Sequence, residues 1–460
     1  MLDILIRNGT VVNYNKTIRA DIGIIGGRIK HIIEGNCTMP SKKTIDARGL
    51  YVLPGVIDPH VHIKHPFKDG YSADDFYSAT VSAAYGGITT LIDFAIQWDK
   101  GKTLSETLEK RKSEFAGNAV IDYGFHICST ISNEKNVRDI KKLINNGSPS
   151  FKMYMTYSKQ GRISDDGVIM NVLEQTAKYG GILGVHAEND SMILFNEELF
   201  INQGKTSCRY FPIAKGNIIE SEAINRVIYM NSFAKGNLYI FHLSTKEGLE
   251  LIKKAKHEEK QNITAETCVH YLVMDSSYYD REDGCNFLCS PPLRSKEDSD
   301  ALWKGIQDGV ITIISSDHCG FSLEHKAFGE GEFYKTPNGL PGMELLLPLI
   351  YTKGVKEGKI SINKMVEIIS TNAAKTFGMF PKKGTIDVGS DADIIVIDKN
   401  LKKMVDVKNL HSPVNWTPYQ GLELSGFATT TISRGEIIVE NDTFIGEKGR
   451  GLYISRSINK

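Results

Sequence analysis

The sequence has no excess of charge of either sign. Its 460 residues include 55 Lys and Arg and 55 Asp and Glu, so the formal net charge is zero. A strongly basic face is typical of proteins that bind nucleic acid or an anionic membrane surface, and nothing in this balance points to either. We therefore expect neither a nucleic-acid partner nor a membrane partner.

Long apolar runs and paired cysteines are also missing. No stretch approaches the roughly 18 consecutive apolar residues of a membrane-spanning helix. The opening MLDILIRNGTVVN lacks the basic segment and apolar run of a secretory signal peptide. The seven cysteines are scattered without a CxxC pair, which is typical of reduced thiols. These absences predict a cytoplasmic protein whose cysteines are reduced.

What remains is an ordinary globular composition, with 41% hydrophobic and 24% charged residues. A chain of this length favours one large domain with a smaller companion. Both ends are rich in short strand-like segments, with hairpin signals at Asn8-Gly9 and Gly26-Gly27. We expect both ends to combine into one small β-sandwich domain, from residues 1–52 and residues 379–460, the second part including a C-terminal arm.

Residues 53–378 alternate apolar runs with helix-like segments. Helical stretches such as TLSETLEKRKSEF separate the runs, and the helix after FHLS has a capping-box pattern from Ser244 to Glu247. Such an α/β alternation, with eight strands, predicts a parallel (β/α)8 TIM-like barrel, while a doubly wound open sheet is the alternative. The runs are YVLPGVID, GITTLIDFA, AVIDYGFHIC, SPSFKMYM, GGILGVHAE, GNLYIFHLS, NITAETCVHYL and GVITIISSD.

The segment GVIDPHVHIKHP, residues 55–66, sets His60 and His62 two apart, with Asp58 two residues before them. On a strand, side chains at this spacing point to the same face. Two imidazoles and a carboxylate on one face suggest a metal site. A polar turn after YVLP is the alternative for an isolated pair of this kind.

Other polar residues stand at the ends of the apolar runs. Catalytic groups of a (β/α)8 barrel come from the carboxyl ends of its strands, so these side chains are predicted to meet. A lone histidine there is more often a packing residue, but four histidines and an aspartate at one end of a barrel indicate a metal site. The residues, in chain order, are His60, His62, Lys152, His186, His242 and Asp317.

These motifs resemble those of the cyclic amidohydrolases, and within them the dihydropyrimidinase and D-hydantoinase group. The resemblance covers nearly the whole chain, and so many collinear motifs are highly specific. They are GxxDxHxH, SADDFYSATVSAAYGG, FKMYMTY, GVHAEND, FHLS, CSPPLR, SSDHC, NGLPGME, SPVNWTPYQGLELSG and TTISRGEIIVE.

The resemblance implies a binuclear zinc site, in which Lys152, carboxylated on its amine, bridges the two ions together with a hydroxide. An ammonium group between two dications would be repelled, whereas a carbamate offers two anionic oxygens. Desolvation also favours the neutral amine, which can react with carbon dioxide. A salt-bridged lysine is the alternative. The ligands implied for one ion are His60, His62 and Asp317, and for the other His186 and His242.

The same resemblance places Tyr157 beside the reacting carbonyl, as a donor to the developing oxyanion. It suggests that backbone groups of Ser290 and Asn338 hold the amide edge of the ring. Asp317 would accept the proton of the hydroxide and return it to the leaving nitrogen. The implied enzyme is a homotetramer that hydrolyses dihydropyrimidines or 5-substituted hydantoins to N-carbamoyl amino acids.

Two other functions remain open. Lys64 follows HVHI where dihydroorotases carry an arginine that binds the substrate carboxylate, so dihydroorotase or allantoinase activity is one alternative. A non-catalytic scaffolding protein is the other, although such relatives have lost metal ligands and every ligand position is filled here. We expect His65, Phe67 and Trp98 to line the pocket for the exocyclic substituent of the ring.

Overall fold

An eight-stranded parallel sheet forms the centre of the protein. The structure is a computed structural model and describes residues 1–130 and 134–458, so residues 131–133 and 459–460 lie outside it. Neighbouring strands follow chain order from first to last, which confirms the barrel prediction and excludes the doubly wound alternative. The strands are Val56–Asp58, Ile88–Ile96, Asp122–Cys128, Ser150–Tyr154, Ile182–His186, Leu238–Ile240, Ile263–Cys268 and Ile311–Ser315.

The barrel closes between its eighth and first strands. Val61–His62 pairs in parallel with His318–Cys319. Asp58 accepts hydrogen bonds from the Ser316 amide at 3.2 Å and from the Ser316 hydroxyl at 2.5 Å. The expectation that Asp58 faces the same site as the two histidines is therefore wrong, because the first strand ends at Asp58 and its carboxylate is used in closure.

Helices surround the barrel. The stretch TLSETLEKRKSEF is helical as predicted, with Thr103 as N-cap. The capping box predicted at Ser244 is wrong, because the Ser244 hydroxyl donates to buried Glu220 at 2.7 Å and Thr245 caps the helix instead. The helices are Phe76–Tyr85, Leu104–Phe115, Glu134–Asn145, Asp166–Tyr179, Asp190–Asn202, Phe211–Ala214, Asn217–Ala234, Lys246–His257, Val269–Val273, Lys296–Gln307, Leu323–Ala327, Leu346–Ile350, Ile362–Val366 and Asn372–Thr376.

A nine-stranded sheet joins the two ends of the chain, which confirms a separate β domain built from both. Ile394–Ile397 pairs antiparallel with Tyr51–Pro54 where the two ends meet. The boundaries at residues 52 and 379 stay a prediction. The strands are Leu2–Val12, Thr17–Ile25, Arg28–Ile33, Ser41–Asp46 and Tyr51–Pro54 from the N-terminal end, and Ile394–Ile397, Ala428–Ser433, Glu436–Glu440 and Thr443–Phe444 from the C-terminal end.

Only one of the two predicted hairpin signals is a turn. Gly26-Gly27 connects the second and third strands of the chain. The first strand runs on through Asn8-Gly9, where its pairing register shifts and Asn8 has φ 61°. A Cβ at Gly9 would lie 2.5 Å from the Val52 side chain. The glycine is thus needed for the close approach of a neighbouring strand and not for a turn.

The cysteines are not all free. Cys208 and Cys285, 77 residues apart in sequence, form a disulfide. The expectation of reduced thiols is therefore wrong for this pair, because nothing in the sequence shows that these two loops meet. In the described part of the chain, no helix is long and apolar enough to cross a membrane. The free cysteines, all buried, are Cys37, Cys128, Cys268, Cys289 and Cys319.

Candidate active site

The carboxyl ends of the barrel strands bring the predicted ligands together around one pocket of about 80 Å³. His60 is fully buried at its edge and contacts both Lys152 and Asp317. The structure thus brings together the predicted ligands with Tyr157, Ser290 and Asn338. Of the residues expected to line the pocket for the exocyclic substituent, His65 lines it, whereas Phe67 and Trp98 do not. The predicted metal-binding and substrate-binding residues that line the pocket are His62, Lys152, Tyr157, His186, His242, Ser290, Asp317 and Asn338.

His60, His62 and Asp317 form the most compact group. Asp317 Oδ1 lies 3.0 Å from His60 Nε2 and 3.2 Å from His62 Nε2. Glu266 lies 2.7 Å from His60 Nδ1, which holds the ring with Nε2 towards Asp317. The sequence reasoning missed Glu266, although an acid inside the apolar run NITAETC was a usable signal. Two imidazoles and a carboxylate are donors that zinc takes.

His186 and His242 form a second group, with ring centroids 4.4 Å apart. Neither ring nitrogen of buried His242 has a hydrogen-bond partner. Burial lowers the pKa of His242 well below its usual value, so the ring is neutral and one of its nitrogens offers a lone pair. An orphaned buried imidazole is costly unless something binds it, and a metal ion fits this requirement. The other imidazole, His186, is held at Nε2 by Glu188 at 2.7 Å.

Lys152 lies beside the first group and is 1% exposed. Its amine is 3.1 Å from His60 Nε2 and 4.2 Å from the ring centroid of Phe94. Burial lowers the pKa of Lys152, although Asp317 opposes this effect. Among the described residues, no carboxylate forms an ion pair with the amine, since Asp317 is directed to the histidines. These surroundings suit a reactive neutral amine better than a salt-bridged one.

Three residues of the pocket have left-handed backbone conformations. The φ angle is 70° at Tyr157, 39° at His242 and 47° at Asp317. Such conformations cost non-glycine residues about 1–3 kcal/mol each and cluster at functional sites. The strain accompanies the turns at the strand ends that direct these side chains into the pocket.

Tyr157 stands over the second group, with its ring centroid 5.0 Å from that of His186. Burial raises the pKa of Tyr157 above its usual value, so the phenol keeps its proton. A protonated phenol beside the two imidazoles can donate a hydrogen bond to an oxygen that develops negative charge there.

Ser290 and Asn338 lie side by side, because Asn338 Nδ2 donates to Ser290 Oγ at 3.1 Å. Lys215 Nζ donates to the same oxygen at 2.8 Å and to Glu188 at 3.3 Å. Lys215 therefore connects Ser290 to the carboxylate that holds His186. Sequence reasoning missed Lys215, which follows FPIA and belongs to none of the recognised motifs.

Arg162 is a positively charged residue of the pocket for which the sequence predicted no role. His65 and Arg162 line the pocket, and Arg162 Nη2 donates to His65 Nε2 at 3.2 Å. Trp98 lies against the guanidinium, with its ring centroid 4.4 Å from Arg162 Cζ. Lys64 instead lies 5.1 Å from the Tyr71 ring and does not line this pocket. Lys64 lines an adjoining cavity together with His62 and His65 instead.

A separate acidic cluster, Asp122, Asp391 and Asp393, lies outside this pocket. Lys383 is buried among the three carboxylates, 2.8 Å from Asp122 and 3.3 Å from Asp391. Arg434 pairs with Asp122 at 3.0 Å. The two cations balance much of the acidic charge, so this cluster is an ion-pair network and not a second metal site.

Comparison with known proteins agrees with this geometry. The model of the Amidohydrolase family matches residues 51–438. A D-hydantoinase of Ralstonia pickettii is 37% identical over 458 residues, 99% of each chain. A D-phenylhydantoinase of Escherichia coli O7:K1 is 38% identical over 458 residues, 98% of each chain. The crystal structure of dihydropyrimidinase from Brevibacillus agri NCHU1002 superposes with a TM-score of 0.97 at 36% identity and covers 100% of both chains.

The barrel and the histidine, lysine and aspartate residues at its strand ends define a hydrolase of the amidohydrolase class. The chain belongs to the amidohydrolase family, in the branch of the dihydropyrimidinases and D-hydantoinases, and is a cyclic amidohydrolase. The resemblance drawn from the sequence motifs is therefore confirmed.

Proposed function

We propose that the enzyme hydrolyses the cyclic amide bond of dihydropyrimidines or 5-substituted hydantoins to N-carbamoyl amino acids. The main support for the proposal is that the predicted ligands and Tyr157 lie together around one pocket. Relatives named for hydantoin and dihydropyrimidine hydrolysis match over almost the whole chain, which supports the same substrate class.

We further propose two zinc ions as the cofactor. Carboxylated Lys152 would be shared by both ions, and its isolated amine supports this role. Zinc, when bound, supplies a water or hydroxide that can attack a carbonyl at neutral pH. The residues proposed for one ion are His60, His62 and Asp317, and for the other His186 and His242.

Asp317 is the proposed proton carrier. Burial alone would raise the pKa of Asp317, but His60 and His62 hold it well below its usual range. The carboxylate is therefore ionised and can take a proton from the attacking water and pass it to the leaving nitrogen.

Tyr157 and the two loop residues would orient the ring. Tyr157 donates a hydrogen bond from its phenol to the carbonyl oxygen as charge develops, while the backbone groups of Ser290 and Asn338 hold the opposite amide edge. The side chains of Ser290 and Asn338 bond to each other at 3.1 Å, which leaves the backbone for the substrate.

A turnover panel tests the reaction. Zinc-loaded and metal-free protein are incubated with dihydrouracil, 5-substituted hydantoins, allantoin and dihydroorotate, and ring opening is followed in the ultraviolet. We expect the zinc form to open dihydrouracil or a hydantoin faster than dihydroorotate, and the metal-free form to open none. Faster turnover of allantoin or dihydroorotate would support the other ring specificities. No turnover at all would support the scaffolding alternative.

We also propose that the enzyme is a homotetramer. Two helices, Asp190–Asn202 and Asn217–Ala234, expose large apolar side chains, and apolar surface concentrated in this way is typical of an interface. Light scattering in solution should give four times the mass of the chain, and a monomer would contradict this. The exposed residues are Phe195 at 68%, Ile218 at 59%, Tyr229 at 68% and Phe233 at 65%.

A cytoplasmic location remains part of the proposal. Five buried free cysteines support it, whereas the bond between Cys208 and Cys285 is typical of an oxidising compartment. Cell fractionation, combined with thiol labelling of the protein immediately after lysis, tests both the location and the state of this pair.

A further inference from the structure

Arg162 is a cation without an anion. Among the described residues it forms no ion pair, and its Nε is buried without a hydrogen-bond partner. Its contacts within hydrogen-bond reach are limited to His65, which accepts from Nη2 at 3.2 Å. A guanidinium has five N–H donors and is always charged, and among the described residues only His65 accepts from it.

The guanidinium belongs to the same pocket as the proposed reaction centre. Arg162 lines this pocket together with Tyr157, and Arg162 Cζ lies 5.9 Å from the Tyr157 ring centroid. His65 connects it to the metal-site side of the pocket, since the His65 and His62 rings are 5.6 Å apart. Trp98 covers the guanidinium at 4.4 Å and reduces its hydration.

We propose that Arg162 binds a carboxylate on the exocyclic substituent of the ring, so that the enzyme prefers cyclic amides with a short acidic side chain. This inference rests on the proposed function and names its substrate class. A carboxylate accepts two parallel hydrogen bonds from a guanidinium, the strongest pairing that this side chain makes. A short chain is required because Arg162 is separated from the reaction centre by little more than the Tyr157 ring.

The alternative is that Arg162 only packs on Trp98 and stabilises the loop. That role would affect all substrates equally, because loop stability does not depend on the charge of the ligand. Lys159 provides a matched control, because it lies three residues before Arg162 and has the same charge. Its side chain is 62% exposed, pairs with Glu197 at 2.8 Å and does not line the pocket.

The experiment compares two ligands of nearly identical shape, carboxyethyl-hydantoin and its neutral amide, carbamoylethyl-hydantoin. Calorimetric binding to the zinc-loaded protein gives the ratio of their dissociation constants, and ring opening gives the ratio of their kcat/KM values. Wild type should prefer the acid in both. Arg162→Gln should lower this preference roughly 10- to 100-fold, as expected for the loss of a charge-assisted bidentate pair. Lys159→Gln should leave it unchanged.

Arg162→Lys keeps the positive charge but loses the paired N–H donors of the guanidinium, so it should give an intermediate preference for the acid. This variant keeps the test valid if Arg162→Gln folds poorly. The binding ratio separates the inference from the reaction. If neither ring is opened but the acid still binds better in an Arg162-dependent manner, the proposed function fails and the anion subsite stands. Equal binding of acid and amide by wild type, or an undiminished preference in Arg162→Gln, would overturn the inference.

Discussion

The Lys215 amine lies 2.8 Å from the hydroxyl oxygen of Ser290 and joins this proposed ring-binding residue to the half of the pocket that contains His186. The same amine lies 3.3 Å from Glu188 Oε2, the oxygen that contacts His186 at 2.7 Å. Burial alone would raise the pKa of Glu188, but Lys215 and His186 hold it below its usual value, so the carboxylate stays ionised. A short chain of polar contacts thus connects substrate binding with the orientation of one imidazole.

Lys215→Met should raise KM and lower kcat/KM by roughly 10-fold, the effect of losing one hydrogen bond to a charged group. The side chain fills similar space, so the fold should persist, and steady-state kinetics with metal analysis provides the measurement. Lys304→Met, on an exposed lysine that pairs with Asp308 at 2.8 Å, is the control and should match wild type. A kcat/KM unchanged by Lys215→Met would show that this chain of contacts has no positioning role.

Tyr157→Phe should keep both metal ions but lower kcat by about 10²- to 10³-fold, the usual effect of removing one oxyanion donor. The phenyl ring preserves the packing against His186, so metal content and thermal unfolding should stay close to wild type. Turnover equal to wild type in this variant would remove Tyr157 from the mechanism.

Lys152→Ala should lose metal and activity together, because the proposed bridge is shared by both ions. Short carboxylic acids should restore part of each by occupying the vacated space next to His60. Metal analysis before and after addition of acetate or propionate is the measurement. Full zinc content and full activity in the alanine variant would contradict a bridging role.

The buried Lys326 should make the free energy of unfolding depend on pH. Its amine is buried and donates to the carbonyls of Leu288 and Pro337, beside the ring-binding residues Ser290 and Asn338. Burial lowers the pKa of Lys326 from 10.5 to about 7. Between these two pH values the unfolded chain holds more protons than the folded chain, so this group makes stability rise with pH, by up to about 1.4 kcal/mol per pH unit.

Lys326→Met should remove this contribution. The unfolding midpoint of wild type, taken relative to that of the variant, should therefore increase as the pH rises from 7 towards 10. Denaturant unfolding of both proteins across this range is the measurement. A constant gap at all pH values would show that Lys326 titrates as in the unfolded chain.

The barrel and its ligand positions could be predicted from sequence because strand ends of a parallel barrel meet by topology. Three of the predicted ligands, His186, His242 and Asp317, stand at the ends of apolar runs. Their position in the sequence was therefore enough to predict that they lie at the same end of the barrel. By contrast, Lys215 and Arg162 act through contacts with distant loops. Neither stands at the end of a run, and only the folded chain shows what they touch.

Local signals failed where long-range contacts override them. Asn8-Gly9 has the composition of a turn, yet the pairing of the first strand with its neighbours continues through it. Asp58 has the spacing of a metal ligand, yet it bonds Ser316 across 258 residues of chain to close the barrel. In both positions the tertiary contact decides the structure, and the sequence pattern alone carries no sign of it.

The proposed two-ion centre bridged by Lys152 is tested most directly by a crystal structure of the active, zinc-loaded enzyme. The account predicts two zinc ions and additional density beyond the Lys152 amine, with two oxygens each roughly 2.0–2.2 Å from a different ion. An unmodified Lys152 in a fully active, zinc-replete enzyme, with one ion held by His60, His62 and Asp317, would contradict it.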